Sequence, residues 1–252
     1  MGIYYNRPID SEHKFYIMES KILSGYINHS GGAVGSDSYW GHIGEQYGVV
    51  SNHYYHGEKT PEGNFEISEE DYEEGRIEAA KAARFNWGYQ YQTMKDNRLI
   101  RNWAQVKYSD AIFAIGHLVR PGEKVFPNQK NDTRVAINPC VQGGTGYAVA
   151  MAILHGKPVY VFDQERNKWF KNIEGKWSES DVPVLTDNFA GIGTRNLNDN
   201  GKKAIEDAYL STINHVAKEL NDEFQQQLKE DEEEWLKERL CGINILDRLD
   251  NK

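Results

Sequence analysis

Cysteine is nearly absent. The two thiols of this 252-residue chain, Cys140 and Cys241, exclude a disulfide framework and a cysteine-rich zinc site, and they suit a reducing compartment. No apolar stretch approaches the roughly 20 residues that a membrane span needs. The opening MGIYYNRPIDSEHK lacks the basic-then-apolar pattern of a signal peptide, so a cytoplasmic protein with no membrane partner is expected. Positive charge is also short. With 29 Lys and Arg against 38 Asp and Glu, the formal charge of −9 argues against a nucleic-acid partner, because phosphate backbones recruit basic surface. Much of that excess lies in ELNDEFQQQLKEDEEEWLKERL, which leaves the rest nearer to balance, with room for a small basic pocket that holds a compact anion.

Several catalytic signatures are missing as well. GxxxxGK[ST], GxSxG, HExxH and CxxC do not occur, and the scattered histidines have no metal-ligand spacing. These absences argue against an ordinary P-loop NTPase and a zinc enzyme, and no motif calls for a metal or a cofactor. His53 and His56 follow a strand-like run, where they would either line a crevice or stand on the surface without a role.

What the chain does have is a hydrophobic share of 39% and strands alternating with helices, which fits one large globular domain with an appendage. Tyr26 to His29 reads as a short strand, SDSYWGHIGEQYG as a helix closed by Gly48, and VVSNHYY as a strand. Ser68 and Asp71 fit a capping box opening an alanine-rich helix, and a second helix is expected from about Gln92 to Tyr108. DAIFAIG and PVYVF are short apolar runs of the kind buried on both faces of a parallel sheet. Between them VQGGTGYAVAMAILHGK is a small-residue helix with Gly156 at its carboxyl end, and LTDNFAGIGTR gives a last strand and glycine turn. This alternation predicts a three-layer α/β sheet whose ligands bind beyond the carboxyl ends of the strands.

Three glycine-rich turns, SGGAVGSD, QGGTGYA and GIGTR, each lie between an expected strand and an expected helix. Glycines let backbone approach an anion and helix amino termini supply unpaired N–H donors, so three such turns at equivalent positions point to a phosphate site. Any one of them alone also reads as a plain tight turn. The candidate ligand-binding residues are Ser30, Gly31, Gly32 and Gly35 in the first turn, Gly143, Gly144, Thr145 and Gly146 in the second, and Gly191, Gly193, Thr194 and Arg195 in the third. Asp37 is a candidate for a ribose hydroxyl contact or a general acid or base, or it merely caps its own helix. Tyr39, Trp40 and Trp103 would stack on a base or belong to the core.

SGGAVGSD resembles the SGGAxGAD-type turn of the SLOG superfamily, Rossmann-like nucleotide-binding proteins that include the DprA-like and LOG (lysine-decarboxylase-like) members. RNWAQVKYSDAIFAIG, QGGTGYAVAMA and GKPVYVFD, in that order, resemble the arginine helix, D-A-h-h-h strand, P-G-G-x-G-T turn and K-P-V strand of LOG proteins. The resemblance spans roughly Tyr26 to Asp163 and implies a Rossmann-like domain over residues 1–215 that binds a nucleotide or nucleotide-derived metabolite, as a sensor or sequestering protein. The alternative is a LOG-like hydrolase or transferase acting at an N-glycosidic or phosphate bond. It also implies that Arg101, with Asn102 beside it, contacts phosphate or stabilises developing charge, which makes Arg101 and Asp37 the candidate catalytic pair.

Three departures qualify the resemblance. Val149 and Ala150 stand where LOG phosphoribohydrolases carry glutamates, and Gln142 replaces the proline. An inserted segment over about residues 117–141, with Arg120, Lys124, Lys130 and Arg134, is expected as a hairpin or lid over the ligand, or as solvated surface charge. FAGIGTR follows the strand that normally closes the domain instead of opening it, which suggests either a circular permutation or a strand appended at a sheet edge. Residues 216–252 read as an acidic amphipathic helical tail. Its stripe of Val216, Leu220, Phe224 and Leu228 would pack on its own domain or join subunits in a homo-oligomer.

Overall fold

The computed structural model describes residues 21–249 apart from 58, 60–62, 91 and 127–131, and along the last helix it describes side chains as far as 233 and at 235. Lys130 and the side chain of Cys241 lie outside the described residues. In chain order the elements are β1 (Ile27–Ser30), α1 (Ser36–Gln46), β2 (Val50–Tyr55), β3 (Phe65–Glu66), α2 (Glu69–Trp87), α3 (Asn97–Ile100) and α4 (Asn102–Tyr108). There follow β4 (Ala111–Gly116), β5 (Leu118–Val119), β6 (Cys140–Val141), α5 (Thr145–Leu154), β7 (Val159–Asp163), β8 (Lys168–Ile173), β9 (Lys176–Ser180), β10 (Asn188–Gly193) and α6 (Asp199–Leu249). The described residues divide into a unit ending at Thr212 and a second beginning at Ile213, close to the boundary expected after residue 215. No described helix is long and apolar enough to cross a membrane.

One sheet of eight strands, in the order β3-β2-β1-β10-β4-β7-β8-β9, organises the first unit. The pairings from β3 to β7 are parallel, and β8 and β9 add an antiparallel edge. This is a Rossmann-like α/β sheet. Strand β4 shows why its sequence is apolar throughout: all six residues are buried because both of its faces are covered. Ile112 and Ala114 join the core built by α2, α4 and α5. Phe113 points the other way, stacking on Tyr160 at 5.1 Å and meeting Phe189, against which Trp40 of α1 and Tyr209 of α6 also pack. Helices thus lie on both faces.

Strand β10 pairs with β1 on one side and β4 on the other, so it is central and the edge placement considered for it does not hold. The inserted segment does form a hairpin: β5 and β6 pair antiparallel, and a further bridge joins Lys124 to Val135. The helix expected from Gln92 starts later. Asp96 accepts from the Arg98 backbone N–H at 3.0 Å and caps a first short turn, after which Arg101 separates α3 from α4. At the far end, the Lys157 ammonium donates to the carbonyls of Val106 at 2.7 Å, Lys107 at 3.1 Å and Ser109, which closes α4 with a side chain from the lead-in to β7. Lys157→Met should therefore destabilise the protein by about 1–3 kcal/mol, since it strands those carbonyls. Urea unfolding that differs by less than about 0.5 kcal/mol from wild type would show that water replaces the ammonium without loss.

In the second unit the helix carries i,i+4 pairs such as His215–Glu219 at 3.2 Å, and Leu220, Phe224, Leu228 and Trp235 are exposed.

Candidate functional site

Beyond the carboxyl end of β10 lies a cavity of about 500 Å³, within the usual range for small-molecule sites. Its lining brings the three glycine turns together. Ala33 and Asp37 come from the first, Gln142, Gly143, Gly144 and Thr145 from the second, and Gly193, Thr194, Arg195 and Asn196 from the third. Asp96, Arg98, Leu99, Arg101, Asn102 and Gln105 close it from α3 and α4, with Ala148 and Ile192 as its apolar wall.

The first and third turns are joined by direct hydrogen bonds. Ser36 donates to the Thr194 carbonyl through both its backbone N–H at 3.0 Å and its hydroxyl at 2.9 Å. Gly35 sits at φ 108°, and a Cβ there would fall 2.6 Å from the Thr194 and Arg195 carbonyl oxygens, so both backbone conformation and space demand glycine. Asp37 completes the joint. Its Oδ1 accepts from the Gly193 N–H at 3.0 Å and its Oδ2 from the Ala33 N–H at 3.4 Å. The carboxylate therefore does more than cap its own helix. It is buried, and that burial pushes its pKa from 3.8 up to about 6, against the lowering effect of the Ala33 N–H, Arg101 and the other backbone donors.

The second turn presents the amino terminus of α5, whose first turn no side chain caps. Asn102 holds it in place by donating to the Gly144 carbonyl at 3.0 Å, and Asn86 donates to the Gly146 carbonyl at 2.9 Å. Arg101 reaches in from the α3–α4 junction. Its Nη1 donates to the Tyr54 carbonyl at 3.2 Å, while its Nε is buried and has no hydrogen-bond partner. Burial lowers its pKa, partly countered by Asp37. Arg98 is already held by Asp96 through both Oδ atoms.

Of the residues expected from sequence, Asp37, Arg101, Asn102, Gly143, Gly144, Thr145, Gly193, Thr194 and Arg195 line the cavity. Ser30, Gly31, Gly32, Gly35, Gly146 and Gly191 do not. Ser30 Oγ accepts from the Gly32 N–H at 3.4 Å, and a Cβ on Gly31 would lie 2.9 Å from both Arg101 Nη2 and Asp37 Oδ2. Gly146 and Gly191 give room to the Val141 carbonyl and to the Trp40 ring. These positions shape the turns that carry the lining residues.

The base-stacking role considered for the aromatics is corrected. Trp40 is fully buried, Trp103 is 8% exposed and donates to Glu74 at 2.7 Å, and Tyr39 donates to Glu206, because all three serve helix packing. His53 and Tyr39 line a separate depression, and His56 stacks on Tyr72 at 3.8 Å. Among the described residues the inserted hairpin contributes no lid. Arg134 is tied to Asp132 and lies 4.1 Å above the Phe126 ring, and Val125 and Ala136 are buried. The sequence reading missed Arg98, Gln105 and Asn196; the i,i+3 spacing of Arg98 and Arg101 was the available signal.

Comparison of the chain with protein-family models, with curated proteins and with solved structures found no match in any of the three.

Proposed function

We propose that this cavity binds the phosphate of a nucleotide or nucleotide-derived metabolite, and that the protein senses or sequesters that ligand in the cytoplasm. One observation carries the reading: Arg101, whose buried Nε has no hydrogen-bond partner, and Arg195 line one cavity with the uncapped amino terminus of α5, while Arg98 beside them is taken up by Asp96. Two arginines without a salt bridge among the described residues, beside a helix amino terminus, favour an anion there, in a chain whose overall charge is negative.

The strand order supports the SLOG-like reading. If the chain is read as starting at β10, the run β2-β1-β10-β4-β7 becomes 3-2-1-4-5, the order of a doubly wound dinucleotide fold, with the cavity at the point where the winding reverses. A circular permutation produces that relation directly. The exposed Leu220, Phe224 and Leu228 stripe supports a homo-oligomer formed through the tail.

The second reading, a hydrolase acting at the N-glycosidic or phosphate bond, draws its support from Asp37, whose pKa of about 6 suits a general acid or base near neutral pH. Val149 and Ala150, at the positions of the LOG glutamates, are both buried in α5 and supply no carboxylate in its place.

The test is a thermal-shift panel of mono-, di- and cyclic nucleotides, NAD and ADP-ribose. A ligand at about 100 times its Kd stabilises by about 2.7 kcal/mol, which raises the Tm of a domain of this size by roughly 5–10 °C. Arg101→Ala should weaken binding by about 1.5–3 kcal/mol. Recovery of the ligand intact after incubation supports the binder, and release of free base that Arg101→Ala abolishes supports the hydrolase. No shift from any ligand at millimolar concentration sinks both readings.

A further inference from the structure

The charged groups lining the cavity are Asp37, Asp96, Arg98, Arg101 and Arg195. Arg98 and Asp96 neutralise each other at 2.8 Å. That leaves Arg101, Arg195 and the amino terminus of α5 as positive potential, opposed by a single carboxylate, Asp37. Asp37 is held by backbone N–H groups rather than by a cation. Yet its Oδ2 and Arg101 Nη2 each stand 2.9 Å from one point, the position a Cβ on Gly31 would take. With Asp37 ionised the cavity is matched to little more than one negative charge. With Asp37 protonated, it is matched to two.

We propose that the site takes a phosphate carrying two negative charges, the terminal group of a phosphomonoester or diphosphate and not the bridging group of a diester, and that Asp37 takes up a proton as that phosphate enters. The proposal rests on the anion-site reading above. The proton comes from solvent and goes to Oδ2, whose contact with the Ala33 N–H is the longer of the two at 3.4 Å, while Oδ1 keeps the 3.0 Å bond from Gly193. No covalent bond changes. A dianion beside a buried, ionised carboxylate repels it, and the carboxylate relieves the repulsion by binding a proton. Burial has already brought Asp37 to about 6, so the further rise on binding falls across neutral pH. Proton uptake and anion affinity are linked: each strengthens the other.

The probe is inorganic sulfate, a tetrahedral dianion whose own charge stays constant between about pH 5.5 and 8.5, titrated calorimetrically at matched ionic strength. Wild-type affinity should rise by up to about tenfold for each pH unit as pH falls from about 8 toward 6, and level off below. Near pH 7, repeating the titration in two buffers of different ionisation enthalpy should report uptake of a fraction of a proton per sulfate. Asp37→Asn, neutral at every pH, should bind sulfate at pH 8 as wild type does near pH 5.5, with a flat profile. Dimethyl phosphate, a monoanion throughout, should bind about tenfold more weakly than sulfate at pH 6. A wild-type sulfate affinity independent of pH with no proton uptake overturns the coupling and leaves the anion site standing. Equal affinities for the two probes overturn the preference for a dianion. Absence of sulfate binding at every pH, at about 50 mM, removes the anion site itself and the proposal with it.

Discussion

Asparagine in place of Asp37 is expected to make the protein more stable at pH 8, by about 2 kcal/mol. The sign follows from the direction of the pKa change. A carboxyl that titrates at 3.8 when exposed and at about 6 in the folded chain contributes stability that is fully present below the lower value and is lost as pH rises through the upper one. The gap of roughly two pH units corresponds to about 3 kcal/mol. Asparagine escapes that loss, but its amide replaces the oxygen that accepts from Ala33, at a cost of about 1 kcal/mol. The comparison is urea unfolding of wild type and Asp37→Asn at pH 8 and again at pH 4. The variant should lead at pH 8 and fall level or slightly behind at pH 4. A variant less stable at both values would mean that the three backbone N–H donors around the carboxylate outweigh its burial.

A buried ionised group that destabilises its own fold is a frequent mark of a functional site, and Asp37 lines the cavity where the three glycine turns meet. This is the physical link between the stability measurement and the ligand chemistry. On the proposal above, the carboxylate that costs stability at neutral pH is the group that takes up a proton as the anion enters.

Much of the sheet was legible because its strands are buried on both faces. AIFAIG and VYVFD announce themselves by apolar content alone, and Gly156 with Pro158 marks the end of α5 before β7 begins. The β8–β9 hairpin was missed although its signal was present. KWFKNI and KWSES alternate large and polar residues around Glu174 and Gly175, both at positive φ, but the stretch is too polar to stand out beside the buried runs. The position of β10 was left between two readings, a permuted first strand and an appended edge strand, since strand order is a long-range property that no local pattern encodes, and its pairing with both β1 and β4 removes the edge. Within the site, spacing found the turns but not their orientation. Trp40 and Trp103 carry the composition of a stacking site, yet helical periodicity turns both inward, and only packing reveals it. The basic residues of the insertion misled for the opposite reason: Arg134 is consumed locally by Asp132 and Phe126.

The second glycine turn holds two neighbours with opposite tasks, and alanine should separate them. A Cβ on Gly146 would lie 2.0 Å from the Val141 carbonyl oxygen and 3.1 Å from its carbon. Both are backbone atoms of β6 that no rotamer change can move, so Gly146→Ala must shift the start of α5 off the strand. The expected cost is about 3 kcal/mol or more, at the upper end of single substitutions. Anion binding should fall with it, because the Asn86 and Asn102 bonds to Gly146 and Gly144 fix where the helix terminus points. Gly144 has helical backbone geometry and a Cβ there would meet only Leu99 Cδ2, at an ordinary 3.6 Å. Gly144→Ala should stay within about 0.5 kcal/mol of wild type in urea unfolding. Gly144→Val, whose added methyl groups enter the cavity beside Leu99, should keep the circular dichroism of wild type and lose sulfate binding. If Gly146→Ala unfolds with the wild-type midpoint, α5 is not seated on β6 as closely as the 2.0 Å approach requires. If Gly144→Val binds sulfate normally, the anion does not rest on the amino terminus of α5, and the arginines alone must hold it.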